Sequence, residues 1–197
     1  MNLSGKVIGF ALTGSFCTYQ KVFSEMKKLV ALGATVIPIF SYVPQEMDCR
    51  FGTWKDFLSK AETISGNHAI TTIVGAEPIG PKNMLDLLLI APCTGNTMAK
   101  LANAITDSPV LMAAKSQLRT EKPVVICLAS NDSIGLNFKN LGLLYPTKHI
   151  YFVPFGQDDH IKKPNSLVAH IDMVIPTIEL ALEGKQIQPV VVSPFIK

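Results

Sequence analysis

Charge is scarce in this chain of 197 residues: Asp, Glu, Lys and Arg make up 17%, against 48% hydrophobic. A disordered chain needs the opposite balance, so the composition is that of a folded protein. The shortage of charge also points to apolar surface hidden between subunits. Basic residues outnumber acidic ones by only 18 to 15, and their densest runs are the pairs Lys27-Lys28 and Lys162-Lys163. Without a clustered basic stripe there is no electrostatic footprint for nucleic acid. The four cysteines, Cys17, Cys49, Cys93 and Cys127, form no Cys-x-x-Cys pair. Neither a zinc site nor a disulfide framework is suggested, and reduced thiols in the cytoplasm are the simplest reading. No apolar stretch reaches the roughly 18 residues that cross a bilayer, so no membrane association is expected. The short run after Lys6 ends at Thr13-Gly14 without a small-residue cleavage site, unlike a signal peptide. G-x-G-x-x-G is absent as well, which removes the usual dinucleotide fingerprint.

What is present is an alternation of apolar runs and helical patterns. Lys6–Leu12, Ala34–Phe40, Met84–Ile90, Pro123–Ala129 and His149–Val153 read as strands. Pro38 places the second at an edge or bulge. Phe23, Met26 and Val30 mark a helix that Gly33 stops. Residues 42–53 read as a loop. Further helices are expected over 54–61, 94–105, from the Ser108-Pro109 start to Arg119, over 138–144, and from an Asn165 cap to Glu183 with a kink at Pro176. The pattern predicts one α/β domain over 1–197. It is a Rossmann-like (flavodoxin-like) three-layer sandwich with a central parallel sheet, and residues 188–197 form an extended tail, either an added edge strand or a subunit contact. A chain of this length buries about 70% of its unfolded surface, enough to fold without disulfides or metal.

Two turns at strand ends carry the chemistry. In an open parallel sheet, ligands sit beyond the carboxyl ends of the strands. The first turn is Thr13-Gly14-Ser15, where a helix start aims backbone N–H groups at an anion, glycine allows close approach and the hydroxyls donate. Gly9-x-x-x-x-Gly14-Ser15 has the spacing of a triphosphate loop with serine where lysine is required, so a monophosphate fits better. The same residues also suit a plain turn capped by Ser15. The second turn is Pro92-Cys93-Thr94-Gly95-Asn96-Thr97. Asn96 can donate and accept toward a heterocycle edge or a carboxylate, whereas capping by Thr94 would account for one polar residue of the cluster.

Thr13-Gly14-Ser15 paired with Ala91-Pro92-Cys93-Thr94-Gly95-Asn96-Thr97, then Asp107-Ser108-Pro109 and Ser130-Asn131-Asp132, resembles the homo-oligomeric flavin-containing cysteine decarboxylase superfamily over about residues 5–185. Val153-Pro154-Phe155-Gly156 is similar to its flavin prenyltransferase branch. The resemblance implies FMN, with phosphate or sulfate able to take its phosphate site. It implies that Ser15, Thr13, Gly14 and Ser41 hold that phosphate and that Pro92, Thr94, Gly95 and Asn96 face the flavin or substrate. Asn131 matches the asparagine of a substrate loop, and trimer-based homo-oligomers are implied. Within the superfamily the likeness runs to a flavoprotein subunit of a two-component oxidoreductase whose partner binds nicotinamide as NADP. Stand-alone decarboxylase, flavin prenyltransferase and non-catalytic assembly subunit remain the alternatives. The register that holds an active-site histidine in the decarboxylases holds Pro78 here, beside Glu77; His68 is out of register. No catalytic residue is therefore assigned. Asp158-Asp159-His160 is read as a solvated loop rather than a metal site, since consecutive residues rarely converge on one ion. Cys93 is read as a small buried thiol, because no histidine partner is visible.

Overall fold

The computed structural model describes residues 3–192. From the amino end the elements are β1 (Val7–Leu12), α1 (Tyr19–Ala31), β2 (Thr35–Phe40), α2 (Val43–Glu46), α3 (Trp54–Ser65) and α4 (Ile73–Ala76). They continue with β3 (Leu87–Cys93), α5 (Gly95–Ala102), α6 (Pro109–Arg119), β4 (Val124–Ser130) and α7 (Phe138–Leu144). The carboxyl part holds β5 (Ile150–Phe152), β6 (Phe155–Gln157), β7 (Leu167–Ala169) and α8 (Val174–Leu182). Short 3-10 turns precede α1, β3 and α8.

The strands form one seven-stranded sheet in the order β2-β1-β3-β4-β7-β6, with β5 also on β4. β2, β1, β3, β4 and β5 are parallel, whereas β7 is antiparallel to both β4 and β6. Helices cover both faces, giving the expected three-layer Rossmann-like α/β sandwich. Period-two alternation builds the two cores. Leu87 and Leu89 face α1 and α8 with Phe10, Val125 and Met26, while Leu88 and Ile90 face α6 with Ile126, Val110 and Ala114. Pro38 lies on β2 at the sheet edge, where its missing N–H costs least. Gly33 ends α1 at φ +87°, a conformation that L side chains rarely adopt.

Several expectations about individual elements change. The third strand is shifted toward the second turn: Asp86 stands before it, its carboxylate accepting from the Val7 N–H at 2.8 Å, and pairing runs on to Cys93 with a register shift after Ile90. Pro92, without a donor, sits in that shift. Residues 43–46 of the expected loop are helical, and α3 reaches Ser65 before Gly66 stops it. Asn165 caps no helix, because β6 and β7 form an antiparallel hairpin there and the helix starts only at Val174. Pro176 then falls in the first turn of α8, where N–H groups have no intrahelical partner, so no kink is required. The central strands are parallel as expected, and the β6–β7 hairpin adds an antiparallel edge that makes the whole sheet mixed.

The start of the tail adds to the edge. The Phe155 N–H donates to the Val190 carbonyl, and the Val192 N–H to the Phe155 carbonyl, both at 2.9 Å. Residues 193–197 lie outside the described residues. Between this segment and α7 runs an apolar groove of about 720 Å³, with Phe138, Tyr145 and Val191 in its walls. Among the described residues, no helix is long and apolar enough to cross a membrane.

Candidate functional site

The β1–α1 and β3–α5 turns are tied together below the surface. The buried Thr13 hydroxyl donates to the Pro92 carbonyl at 2.6 Å and accepts from the Thr94 N–H at 3.1 Å. The Tyr19 hydroxyl donates to the Thr13 carbonyl at 2.9 Å, and burial pushes this phenol well above its usual range, so it acts as a fixed donor. Thr13 and Pro92 therefore shape the site from beneath. Neither lines the two cavities that open above them.

Above this staple open two adjoining cavities at the carboxyl ends of the strands. The larger, about 750 Å³, has Ser15, Gly95, Asn131, Lys21 and Lys163 in its walls; the smaller, about 330 Å³, has Ser41, Thr97 and Lys100. Gly14, Thr94 and Asn96 border both and form the ridge between them.

The hydroxyls along this rim differ in what they are bonded to. Thr94 and Ser108 each accept an N–H in the first turn of their helices, as Thr53 and Thr72 do elsewhere in the fold. Thr94 thus spends its hydroxyl as the α5 cap, donating onward to the Thr97 hydroxyl at 3.0 Å. The Ser15 side chain does not cap the 3-10 turn that follows it, and among the described residues its hydroxyl meets only the Cys17 sulfur, at 3.8 Å. Ser41, 8% exposed, makes no side-chain hydrogen bond among the described residues, and neither do Asn96 and Asn131, which are exposed. Gly14 lies between the two free hydroxyls, and a Cβ there would come within 3.1 Å of Val43 Cγ1.

Gly95 is required by packing. A Cβ would stand 2.6 Å from Ser130 Oγ, 2.8 Å from Asn137 Nδ2 and 3.0 Å from Asp132 Oδ1. Those three atoms form the network that shapes the 130–137 loop. Ser130 donates to Asp132 Oδ1 at 2.8 Å, Asn137 to Asp132 Oδ2 at 2.7 Å, and Asn140 to Asn137 Oδ1 at 2.8 Å. With Asp132 so engaged, Asn131 is left facing the larger cavity.

Cys93 is wholly buried, and burial, with Cys127 beside it, raises its thiol far above the ordinary range. It is a protonated core thiol, not a nucleophile. His68 lies on the protein surface and Pro78 in a 3-10 turn; neither lines the cavities. Asp159 turns its own loop, accepting from the Ile161 and Lys162 N–H groups, while Asp158 pairs with Lys163 at 2.6 Å. That pairing raises the Lys163 ammonium above its usual range, so it stays charged. No three His, Cys, Asp or Glu side chains converge among the described residues.

Sequence reasoning did not find Lys21, Lys163 or Asn137 as site residues, and it met Ser130 and Asp132 only as neighbours of Asn131 in a motif. Lys21 follows the first turn by a few residues and could have been read as its neighbour on α1. Lys163 depends on the β6–β7 hairpin, whose strands are too short for their periodicity to register.

This chain is 52% identical over 194 residues to the B subunit of dipicolinate synthase of Bacillus subtilis (strain 168), covering 98% of this chain and 97% of the relative. It superposes on the crystal structure of the dipicolinate synthase B subunit from Bacillus halodurans with a TM-score of 0.91 at 50% identity, covering 99% of this chain and 100% of that one. The FMN binding protein AtHal3 shares the fold at a TM-score of 0.64 and 18% identity, over 92% of this chain and 99% of that one. The family model described as Flavoprotein matches residues 1–175, and the chain belongs to that family.

Proposed function

We propose that this chain is the flavoprotein B subunit of a dipicolinate synthase. In this reading it binds FMN and, with an NADP-using dipicolinate synthase A subunit, oxidises a dihydrodipicolinate-type precursor to dipicolinate in the mother-cell cytoplasm of a sporulating bacterium. The observation that carries the cofactor assignment is the pair of uncommitted hydroxyls, Ser15 and Ser41, on either side of Gly14. The close likeness to the B subunit of dipicolinate synthase supports the reaction.

The residues present fit a phosphate monoester. Ser15 and Ser41 can each donate to a phosphate oxygen, the start of the helical segment offers N–H groups, and the missing Cβ of Gly14 leaves room for an oxygen against Val43. Thr13 holds this turn against Pro92, so the phosphate end and the ring end of the site keep their spacing. Thr94, Gly95 and Asn96 would face the flavin ring or substrate, with the Asn96 amide free to engage a heterocycle edge, and Asn131 would meet the substrate. Aromatising a dihydropyridine ring removes two protons and an electron pair. FMN, when bound, supplies the acceptor for that pair, and NADP on the partner the route onward. This chain lacks a second nucleotide-binding fingerprint, which is why a partner is part of the reading.

One flavoprotein domain assembled as a homo-oligomer of trimers completes the reading; the exposed apolar groove beside α7 and the low charge content support assembly. Light scattering tests it, and a strict monomer at micromolar concentration overturns it. The function is tested by reconstituting the protein with FMN, identifying released cofactor, and following dipicolinate by ultraviolet absorbance with this chain, the partner, and both. The expected result is a yellow protein and turnover only with both. Full turnover by this chain alone refutes the two-component reading, and full turnover by the partner alone makes this chain an accessory subunit. Ser15→Ala and Ser41→Ala should each weaken FMN binding about tenfold or more, the scale of one charge-assisted hydrogen bond.

A further inference from the structure

We propose that the larger cavity contains a dicarboxylate-recognition subsite whose anchors are Lys21 and Lys163. The inference rests on the reading of this cleft as the place where a ring dicarboxylate is oxidised, and it names how the chain would select that class.

The charged walls of the cleft are Lys21, Asp132, Asp158 and Lys163. Asp132 has both oxygens engaged by Ser130 and Asn137. Asp158 and Lys163 neutralise each other at 2.6 Å. Lys21 has no ion-pair partner among the described residues. The four charges cancel formally, but the Asp132 carboxylate is turned into its loop by Ser130 and Asn137, so the cleft presents one cation that no carboxylate contacts among the described residues and one pair that can be exchanged. An anion entering it gains a counter-charge at Lys21 without breaking anything.

The second contact is nearly as cheap. The side chains of Lys163 and Asp158 are 54% and 36% exposed, and such pairs contribute little in water. A ligand carboxylate can take the place of Asp158, whose own carboxylate then returns to solvent. The loop that carries Lys163 is not slack. Gln157 Nε2 donates to the Pro164 carbonyl at 2.9 Å, and the Lys163 N–H to the Asp159 carbonyl at 2.7 Å, so the backbone that presents the ammonium is fixed. Lys21 stands on α1, itself anchored through Tyr19 to the Thr13 turn. Two rigidly based cations from distant parts of the sequence thus reach one cleft. Each is a compact point charge that suits a carboxylate without demanding one orientation. Asn131 adds an uncommitted amide for a ring nitrogen or carboxylate edge. A small ring with two carboxylates satisfies both lysines; a monocarboxylate leaves one unused.

The test uses the FMN-reconstituted protein and, as probes, pyridine-2,6-dicarboxylate and pyridine-2-carboxylate, followed by calorimetry. Wild type should bind the dicarboxylate at least tenfold more tightly, and Lys21→Met and Lys163→Met should each abolish that preference while FMN affinity stays unchanged. Lys21→Arg should retain it. Asp158→Asn, which frees Lys163, should tighten dicarboxylate binding several-fold. Unchanged probe binding in both methionine variants, absence of dicarboxylate binding, or a loss confined to FMN affinity overturns the subsite. If wild type with its partner makes dipicolinate while both methionine variants bind the probe normally, the subsite falls and the function stands. If FMN fails to bind but the dicarboxylate preference is present and lost on Lys21→Met, the function falls and the subsite stands.

Discussion

The Thr13 hydroxyl and the Pro92 carbonyl meet at 2.6 Å, and through this one bond the turns after β1 and β3 become a single rigid floor. The same oxygen receives the Thr94 N–H at 3.1 Å. The residue that the sequence pattern offers as a cofactor contact is therefore spent inside the protein, on both turns at once.

Replacing Thr13 by Val keeps the shape and leaves the Pro92 carbonyl and the Thr94 N–H unpartnered. Each buried orphan costs about 1–3 kcal/mol. Urea unfolding should show a loss on that scale, and FMN affinity should fall with it because the two turns are no longer held in register. Thr13→Ser should restore both. A Val variant of full stability and full FMN affinity would show that the staple is dispensable.

Much of this was legible beforehand, for identifiable reasons. Long apolar runs such as Lys6–Leu12 and Pro123–Ala129 became central strands because only a covered parallel sheet buries them on both sides. Ser108-Pro109 started a helix as its cap chemistry dictates. The hairpin of β6 and β7 was misread because each strand has three residues, too few to show alternation, and Asn165 imitates a helix cap. Gly14, Ser15, Thr94, Gly95 and Asn96 could be singled out because turns at strand ends carry their own signature, and Asn131 because of the family resemblance; the fold lines one cavity with all six. Lys21 and Lys163 were missed because an isolated lysine has none; only the fold brings them to one cleft.

Gly95→Ala tests whether the second turn and the 130–137 loop act as one unit. The new Cβ would press into Ser130 Oγ, Asn137 Nδ2 and Asp132 Oδ1, so either α5 or the loop must retreat. Overpacking of this kind costs about 1–3 kcal/mol. The expected outcome is a lower urea midpoint together with weakened binding of pyridine-2,6-dicarboxylate. Gly142→Ala, where a Cβ meets nothing within 4 Å and alanine favours the α7 helix, is the clash-free comparison and should leave the urea midpoint unchanged or raise it. Equal behaviour of the two variants would count against the packing argument.

Peptidyl-cysteine decarboxylation should be absent. Proton transfer needs a titratable group within reach of the reacting atoms. Pro78 has none, and the His68 side chain lies on the surface beside Glu62, outside both cavities. Carbon dioxide release from a cysteine-terminated peptide by the FMN-loaded protein, at enzymatic rates, would show that another residue serves.

Stability should fall on the alkaline side, and the cause lies in the core. Cys127 is wholly buried; burial first, then the nearby Glu25, raises its thiol from 9.0 to about 12. Cys93 is shifted in the same direction, by burial first and then by Cys127. Between pH 9 and 12 the unfolded chain has released these protons while the folded chain still holds them. Unfolding therefore releases protons, and raising the pH favours it. The contribution is fully present below pH 9 and is lost as pH climbs toward 12, at a slope approaching about 1.4 kcal/mol per pH unit for each thiol. Tyr19, its phenol raised by burial and then by Cys49, steepens the decline above pH 10. Urea midpoints measured from pH 8 to 11 should show this fall, and Cys127→Ala should make it shallower. Thiol labelling gives an independent reading: the exposed Cys17 should react in the folded protein, and Cys93 and Cys127 only on unfolding. Rapid labelling of either buried thiol in the native protein at pH 8 would mean that the sheet opens locally at β3 or β4, and that the core does not hold these thiols protonated.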